Sequence, residues 1–153
     1  MRKYLEISGA RMFERYTEEA RKTIFHARYL AGEFGADAIE VTHLLLAGIK
    51  VSGTYLCDLS TKSITCEELY RKLEDQLVKG QRKPGSAEIP FSRETKEVIE
   101  KAMEEANAMS QPQIGIGHIF IGILSQEGST VEQFLQENGI TLTLVRTFVQ
   151  KLG

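Results

Sequence analysis

The chain has 153 residues, 42% of them hydrophobic and 26% charged, with a formal net charge of −2. Those proportions belong to a globular protein, and the near balance of charge gives no electrostatic ground for binding nucleic acid or an anionic membrane surface. No apolar run approaches the roughly 18 residues of a membrane span, and the opening MRKYLEISGARMF, broken by Glu6 and Ser8, does not read as a signal peptide.

The first predicted helix begins at Thr17, an N-cap residue followed by Glu18 and Glu19, which suit the positive end of a helix dipole. Apolar residues at Ala20, Ile24, Ala27, Leu30, Ala31 and Phe34 mark its buried face, and Gly35 marks its end. IEVTHLLLAGI follows, from Ile39 to Ile49. It is apolar on nearly all sides, the pattern of a short helix buried in a core. A third helix is expected around TYLCDLS and a fourth from Ile64 to Leu77, carried by Leu69 and Leu73. KGQRKPGSAEIP then reads as a linker by its charge, glycine and proline.

After the linker the pattern returns. Ser92 takes the place of Thr17, and Val98, Ile99, Ala102, Ala106 and Met109 form the buried face, with Pro112 helping to end the helix. IGIGHIFIGIL spans Ile114 to Leu124, and His118 lies 75 residues after His43. The same offset pairs Glu19 with Glu94, Ile24 with Ile99 and Gly53 with Gly128, then becomes 76 at Ile64 and Ile140. STVEQFLQENG and Thr141 to Leu152 supply the last two helices. The chain is therefore an internal duplication, all-α, with eight helices in two pseudo-symmetric sets of four. One set cannot bury its apolar faces alone, whereas two can cover each other.

MFERYTEEARKTIFHARYLA from Met12, THLLLAGI, and IPFSRETKEVIEKAMEEA after the linker together resemble the double-repeat Clp N-terminal domain, and in particular its ClpC type. The resemblance covers Met12 to Gly153. It implies a domain over 12–153 behind an N-terminal extension at 1–11, with repeat 1 at about 12–78, a linker at about 79–90 and repeat 2 at about 91–153. It also implies a non-catalytic module that receives adaptor proteins and unfolded or tagged substrate proteins for an ATP-dependent unfoldase, with a Clp ATPase ring or protease as a further partner. The alternative is a free-standing Clp-N-like regulator or accessory subunit. The eleven residues ahead of Met12–Phe13 and the end at Gly153 favour that alternative.

The resemblance also nominates residues. Phe13, Arg21, Phe91, Lys96 and Glu100 match an apolar, charge-flanked surface that ClpC relatives use for protein and peptide partners. Phe13 and Phe91 serve equally well as staple residues beside Thr17 and Ser92. In ClpC relatives a glutamate at the start of each buried helix helps hold a phosphoarginine tag. Here those positions are Thr42 and Gly117, so the site is degenerate and tag reading is expected to be lost or greatly weakened.

No cofactor or metal is expected. GQRKPGSA has Gly80 and Gly85 at the spacing of a phosphate-binding loop, but Ser86 stands where the lysine must be. His43 and His118 have Ala47 and Gly122 at i+4 rather than a second ligand, so they are expected as structural histidines at the starts of their helices. Cys57 and Cys66, with no CxxC, fit a reducing cytoplasm and are expected to be buried, inert thiols.

Overall fold

The computed structural model describes residues 14–152. Phe13 and the extension at 1–11 lie outside the described residues. Seven helical segments follow one another: α1 (Glu18–Glu33), α2 (Val41–Leu59), α3 (Cys66–Glu74), α4 (Arg93–Ala108), α5 (Ile116–Leu124), α6 (Thr130–Glu137) and α7 (Leu142–Leu152). The second and third helices expected in the first half run together as α2. Ser52 breaks that helix with φ −150° and ψ 45°, so the described chain has eight helical pieces.

The ends of the helices repeat with the sequence. Thr17 Oγ1 accepts from the Ala20 N–H at 3.1 Å, and Ser92 Oγ accepts from the Thr95 N–H at 3.1 Å. Each cap satisfies one of the donors that a helix start leaves unpaired. At the other end, the Ala36 N–H reaches back to Ala31 O and the Gln111 N–H to Ala106 O, both at 2.9 Å. These closures need a left-handed residue in between. Gly35 supplies it in the first repeat, at φ 70°, and Ser110 supplies it in the second, at φ 55°. The turn after α4 is thus complete before Pro112, and Ser110 is the residue that ends the helix.

The two apolar helices form the centre. Leu44, Leu45, Leu46 and Ala47 of α2 and Ile119, Phe120, Ile121 and Ile123 of α5 are fully buried. The helices cross so closely that a Cβ on Gly48 would lie 2.6 Å from the Phe120 ring. α1 packs on α2 and α4 on α5 as the outer layer of each half.

The repeats are tied by a reciprocal exchange of backbone. Tyr16 forms a parallel bridge with Ile114, and Ile39 forms one with Phe91. The offset of 75 converts the first bridge into the second. The hydrogen bonds obey the same rule. Thr17 N–H donates to Ile114 O at 3.0 Å, matching Ser92 N–H to Ile39 O at 3.1 Å. Ile114 N–H donates to Arg15 O at 2.8 Å, matching Ile39 N–H to Pro90 O at 2.7 Å. Each repeat therefore completes the other's entry into its first helix, and one hydrophobic cluster runs through both. The segment between the halves is strapped to the end of α1. Gly80 and Lys83 donate their N–H groups to Phe34 O and Gly32 O, Arg82 meets Glu33 at 2.7 Å, and Lys83 meets Asp37 at 2.8 Å.

Candidate functional site

The starts of α2 and α5 are built alike. His43 Nδ1 accepts from the Glu40 N–H at 2.9 Å, and His118 Nδ1 accepts from the Gly115 N–H at 2.9 Å. An accepting Nδ1 carries no proton, so each ring is the neutral Nε2–H tautomer. In the second repeat that Nε2–H donates to Gln111 Oε1 at 2.6 Å. Burial lowers the pKa of both rings; for His118 nearby Glu105 opposes the shift and Arg15 adds to it. These are the structural histidines that the duplication leads one to expect. Among the described residues no group of three or more His, Cys, Asp or Glu could hold a metal ion.

The next positions differ between the halves. Thr42 is half-buried at the first start, whereas Gly117 is buried at the second. A Cβ on Gly117 would lie 2.4 Å from Tyr55 Oη and 2.6 Å from Val149 Cγ2. Tyr55 comes from the first repeat and is held edge-on to Phe148, with centroids 4.8 Å apart, and tilted against Phe120 at 5.8 Å. Its hydroxyl is buried without a hydrogen-bond partner, and burial pushes its pKa up. With Thr17, Gln111, His118 and Leu152 it lines an open cleft of about 330 Å³ at the start of α5. The sequence reading missed Tyr55, because its 75- and 76-residue counterparts, Thr130 and Val131, do not mark it.

The nominated surface residues fall on α1, on α4 and at the turn before α4. Arg21 is exposed on α1 and donates from Nη1 to Tyr16 O at 2.9 Å. Phe91 is half-buried at its bridge to Ile39 and packs against the core. Lys96 and Glu100 are half-buried on α4, one turn apart. Glu100 also lines a cleft of about 960 Å³ with Glu97, Glu104, Glu132 and Arg146, in which none of the other nominated residues among the described ones takes part. Phe13 lies outside the described residues.

The offset exposes what the nomination left out. Arg21 is the counterpart of Lys96, Phe25 of Glu100, and Tyr29 of Glu104. Residues four apart share a helix face, so α1 presents Arg21, Phe25 and Tyr29 where α4 presents Lys96, Glu100 and Glu104. Phe25 is 78% exposed and Tyr29 51%, with His26 stacked on Tyr29 at 5.6 Å. Comparing the repeats residue by residue would have singled out both aromatics. The fold accepts carboxylates at these positions in the second repeat, so packing does not demand rings in the first.

A second difference lies beneath the α4 face. Glu105 is buried and receives Arg146 Nε at 2.9 Å and Nη2 at 3.3 Å, with Lys101 at 3.4 Å. Burial alone would raise the Glu105 carboxyl, but the hydrogen bonds and charges of Arg146 and Lys101 outweigh it and hold the pKa low. The counterparts in the first repeat are Leu30 and Tyr70, so the second repeat carries an ion pair where the first carries no charge. Among the described residues no helix is long and apolar enough to cross a membrane.

The family model described as the Clp repeat (R) N-terminal domain matches residues 15–151. The chain is 32% identical over 143 residues to an ATP-dependent Clp protease ATP-binding subunit ClpA homolog of Guillardia theta, covering 92% of this chain and 17% of that protein. It is 28% identical over 142 residues to ClpC/MecB of Bacillus subtilis, a negative regulator of genetic competence, with the same two coverages. The chain thus spans about a sixth of the length of these curated relatives. Among solved structures it resembles the N-terminal domain of the chaperone ClpD from Arabidopsis thaliana, with a TM-score of 0.71, 25% identity and coverage of 95% and 99%. It shares the fold of the Hsp104 N-terminal domain from Candida albicans, with a TM-score of 0.72, 24% identity and coverage of 90% of each chain. The duplicated all-α architecture and the family match over nearly the whole described chain make this protein a member of the Clp N-terminal domain family.

Proposed function

We propose that this chain is a non-catalytic receiving module that docks adaptor and substrate proteins for an ATP-dependent Clp unfoldase. The observation that carries the reading is the pair of counterpart rows on α1 and α4. Each begins with a cation, Arg21 or Lys96, and they then diverge into exposed rings and carboxylates. Exposed aromatics beside arginine are the residue types that anchor protein partners. The divergence gives a pseudo-symmetric module one preferred orientation for its partner, because turning the partner over would set its apolar anchors on Glu100 and Glu104. Phe91 is included in the proposed surface, Phe13 is nominated for it by the resemblance alone, and the ATPase the module serves is part of the proposal.

The same reading assigns no phosphoarginine recognition to the helix starts. Thr42 is uncharged, and the space a side chain at Gly117 would need is filled by Tyr55 and Val149.

The test is a chimera in which this chain replaces the first domain of Bacillus subtilis ClpC. Degradation of an unfolded model protein should exceed that by a ring lacking any first domain. Phe25→Ala with Arg21→Glu should remove the gain, while circular dichroism stays unchanged. A chimera no better than the truncated ring, across several unfolded substrates and adaptors, would overturn the proposal.

A further inference from the structure

The two cysteines are the chemistry-bearing groups that the receiving role does not use. Cys57 lies in the last turn of α2 and is buried as expected, whereas Cys66, expected to be buried too, is only half-buried because it is the first residue of α3. The two helices pack directly on each other. Beside burial, the Cys66 thiol raises the pKa of the Cys57 thiol, so the two side chains lie near each other. Cys66 also opens onto a surface cleft of about 400 Å³ that it lines with Lys50, Glu67, Tyr70 and Arg71. One thiol is therefore reachable from solvent and the other waits behind it. Nothing in the second repeat corresponds, since the equivalent stretch has no cysteine.

We infer that Cys66 and Cys57 form an oxidisable pair, in which a hydroperoxide oxidises Cys66 and Cys57 resolves it to an intramolecular disulfide. In the first step the Cys66 sulfur attacks the peroxide O–O bond. An S–O bond forms, the O–O bond breaks, and the alcohol (or water) leaves with the thiol's proton. The sulfur loses two electrons to the peroxide and becomes a sulfenic acid. In the second step the Cys57 sulfur attacks the Cys66 sulfur. The S–S bond forms, the S–O bond breaks, and hydroxide departs with the Cys57 proton as water. Burial is the main cause that pushes the Cys57 thiol up to about 12, which leaves Cys66 as the sulfur that meets the oxidant first. The disulfide would tie α3 to the part of α2 beyond the Ser52 kink.

The experiment treats the full chain with hydrogen peroxide and follows it by non-reducing mass spectrometry. Lys62 lies between the cysteines, so trypsin separates Cys57 from Cys66 unless a disulfide joins their peptides. The expected product is a monomer that has lost two hydrogens and yields the joined peptides 51–62 and 63–71. Cys57→Ser should stall at a sulfenic acid on Cys66, trapped by dimedone. Linkage in the folded chain should outpace linkage in urea by about tenfold or more, because the fold holds the sulfurs together. A Cys66 that proceeds to sulfinic acid without linkage, a disulfide between two chains, or equal rates folded and unfolded would each overturn the inference.

Discussion

Thr42 and Gly117 occupy equivalent positions, so the same change at both isolates what the tertiary structure adds. Thr42→Glu places a carboxylate near the N-terminal end of α2, at a half-buried site. A negative charge near a helix start is mildly favourable, by about 0.3–1 kcal/mol, and its stability effect should be near zero or slightly positive. Gly117→Glu places the same carboxylate where even a Cβ would be 2.4 Å from Tyr55 Oη and 2.6 Å from Val149 Cγ2. Both contacts are about 1 Å inside van der Waals distance, and Val149 is only 3% exposed. Overpacking of this kind costs about 1–3 kcal/mol. Relief of the glycine returns about 1 kcal/mol of helix propensity, and desolvating the carboxylate adds about 2 kcal/mol. The net expectation is a loss of about 2–4 kcal/mol, or on the order of 10 °C in melting temperature for a chain of this size. Thermal unfolding followed by circular dichroism at 222 nm reads it directly. Tyr55→Ala in the Gly117→Glu background should recover part of the loss, since it vacates the space. If the two glutamate variants melt within about a degree of each other, Tyr55 and Val149 do not close the second site and the argument for its loss fails.

Three further outcomes follow from the same geometry. Ser63 (φ 52°) and Ser110 (φ 55°) hold left-handed backbone where their counterparts are Gly139 and Gly35. Ser110→Gly and Ser63→Gly should therefore each stabilise by about 0.5–1 kcal/mol in urea unfolding, the relief of strain exceeding the added chain entropy; a loss at both sites would refute the strain. Tyr55→Phe should stabilise or leave stability unchanged, because the buried hydroxyl it removes has no partner; a loss above about 1 kcal/mol would show that the hydroxyl is satisfied. Finally, His43 and His118 have folded pKa values lowered mainly by burial. Above about pH 6.5, the unfolded value, their contribution to stability is fully present. As pH falls below that value the unfolded chain takes up protons first, and stability declines by up to about 1.4 kcal/mol per pH unit for each ring. Urea midpoints between pH 7.5 and 5 should fall, and His118→Gln should flatten the curve. Glu105, with its pKa held low by Arg146 and Lys101, acts only in a lower window, below about pH 4.5. A midpoint that is level or rises toward pH 5 contradicts the buried neutral tautomers.

Much of this protein is legible in its residues alone, because the information is local and appears twice. Thr17 and Ser92 announce helix starts through their own hydroxyls, and the all-round apolar phrases around His43 and His118 announce buried helices through composition. The matching surroundings of the two histidines foretell matching hydrogen bonds, which the structure places at the same 2.9 Å. Duplication lets one half predict the other wherever a contact stays within its own repeat. It fails where a side chain crosses between repeats or where counterparts diverge. No sequence period brings Tyr55 over Gly117, and no local rule says that Glu105 and Arg146 will pair where the first half has Leu30 and Tyr70. The join of the second and third helices through Ser52 is of the same kind, since the corresponding break in the second half is enforced locally by left-handed Gly128. Periodicity fixes which face of a helix is buried, but only packing of distant segments decides what that face meets. In this chain those meetings close the second of the two helix starts with Tyr55 and Val149, whereas the unlike outer faces of α1 and α4 were already written in the residues at the 75-residue offset.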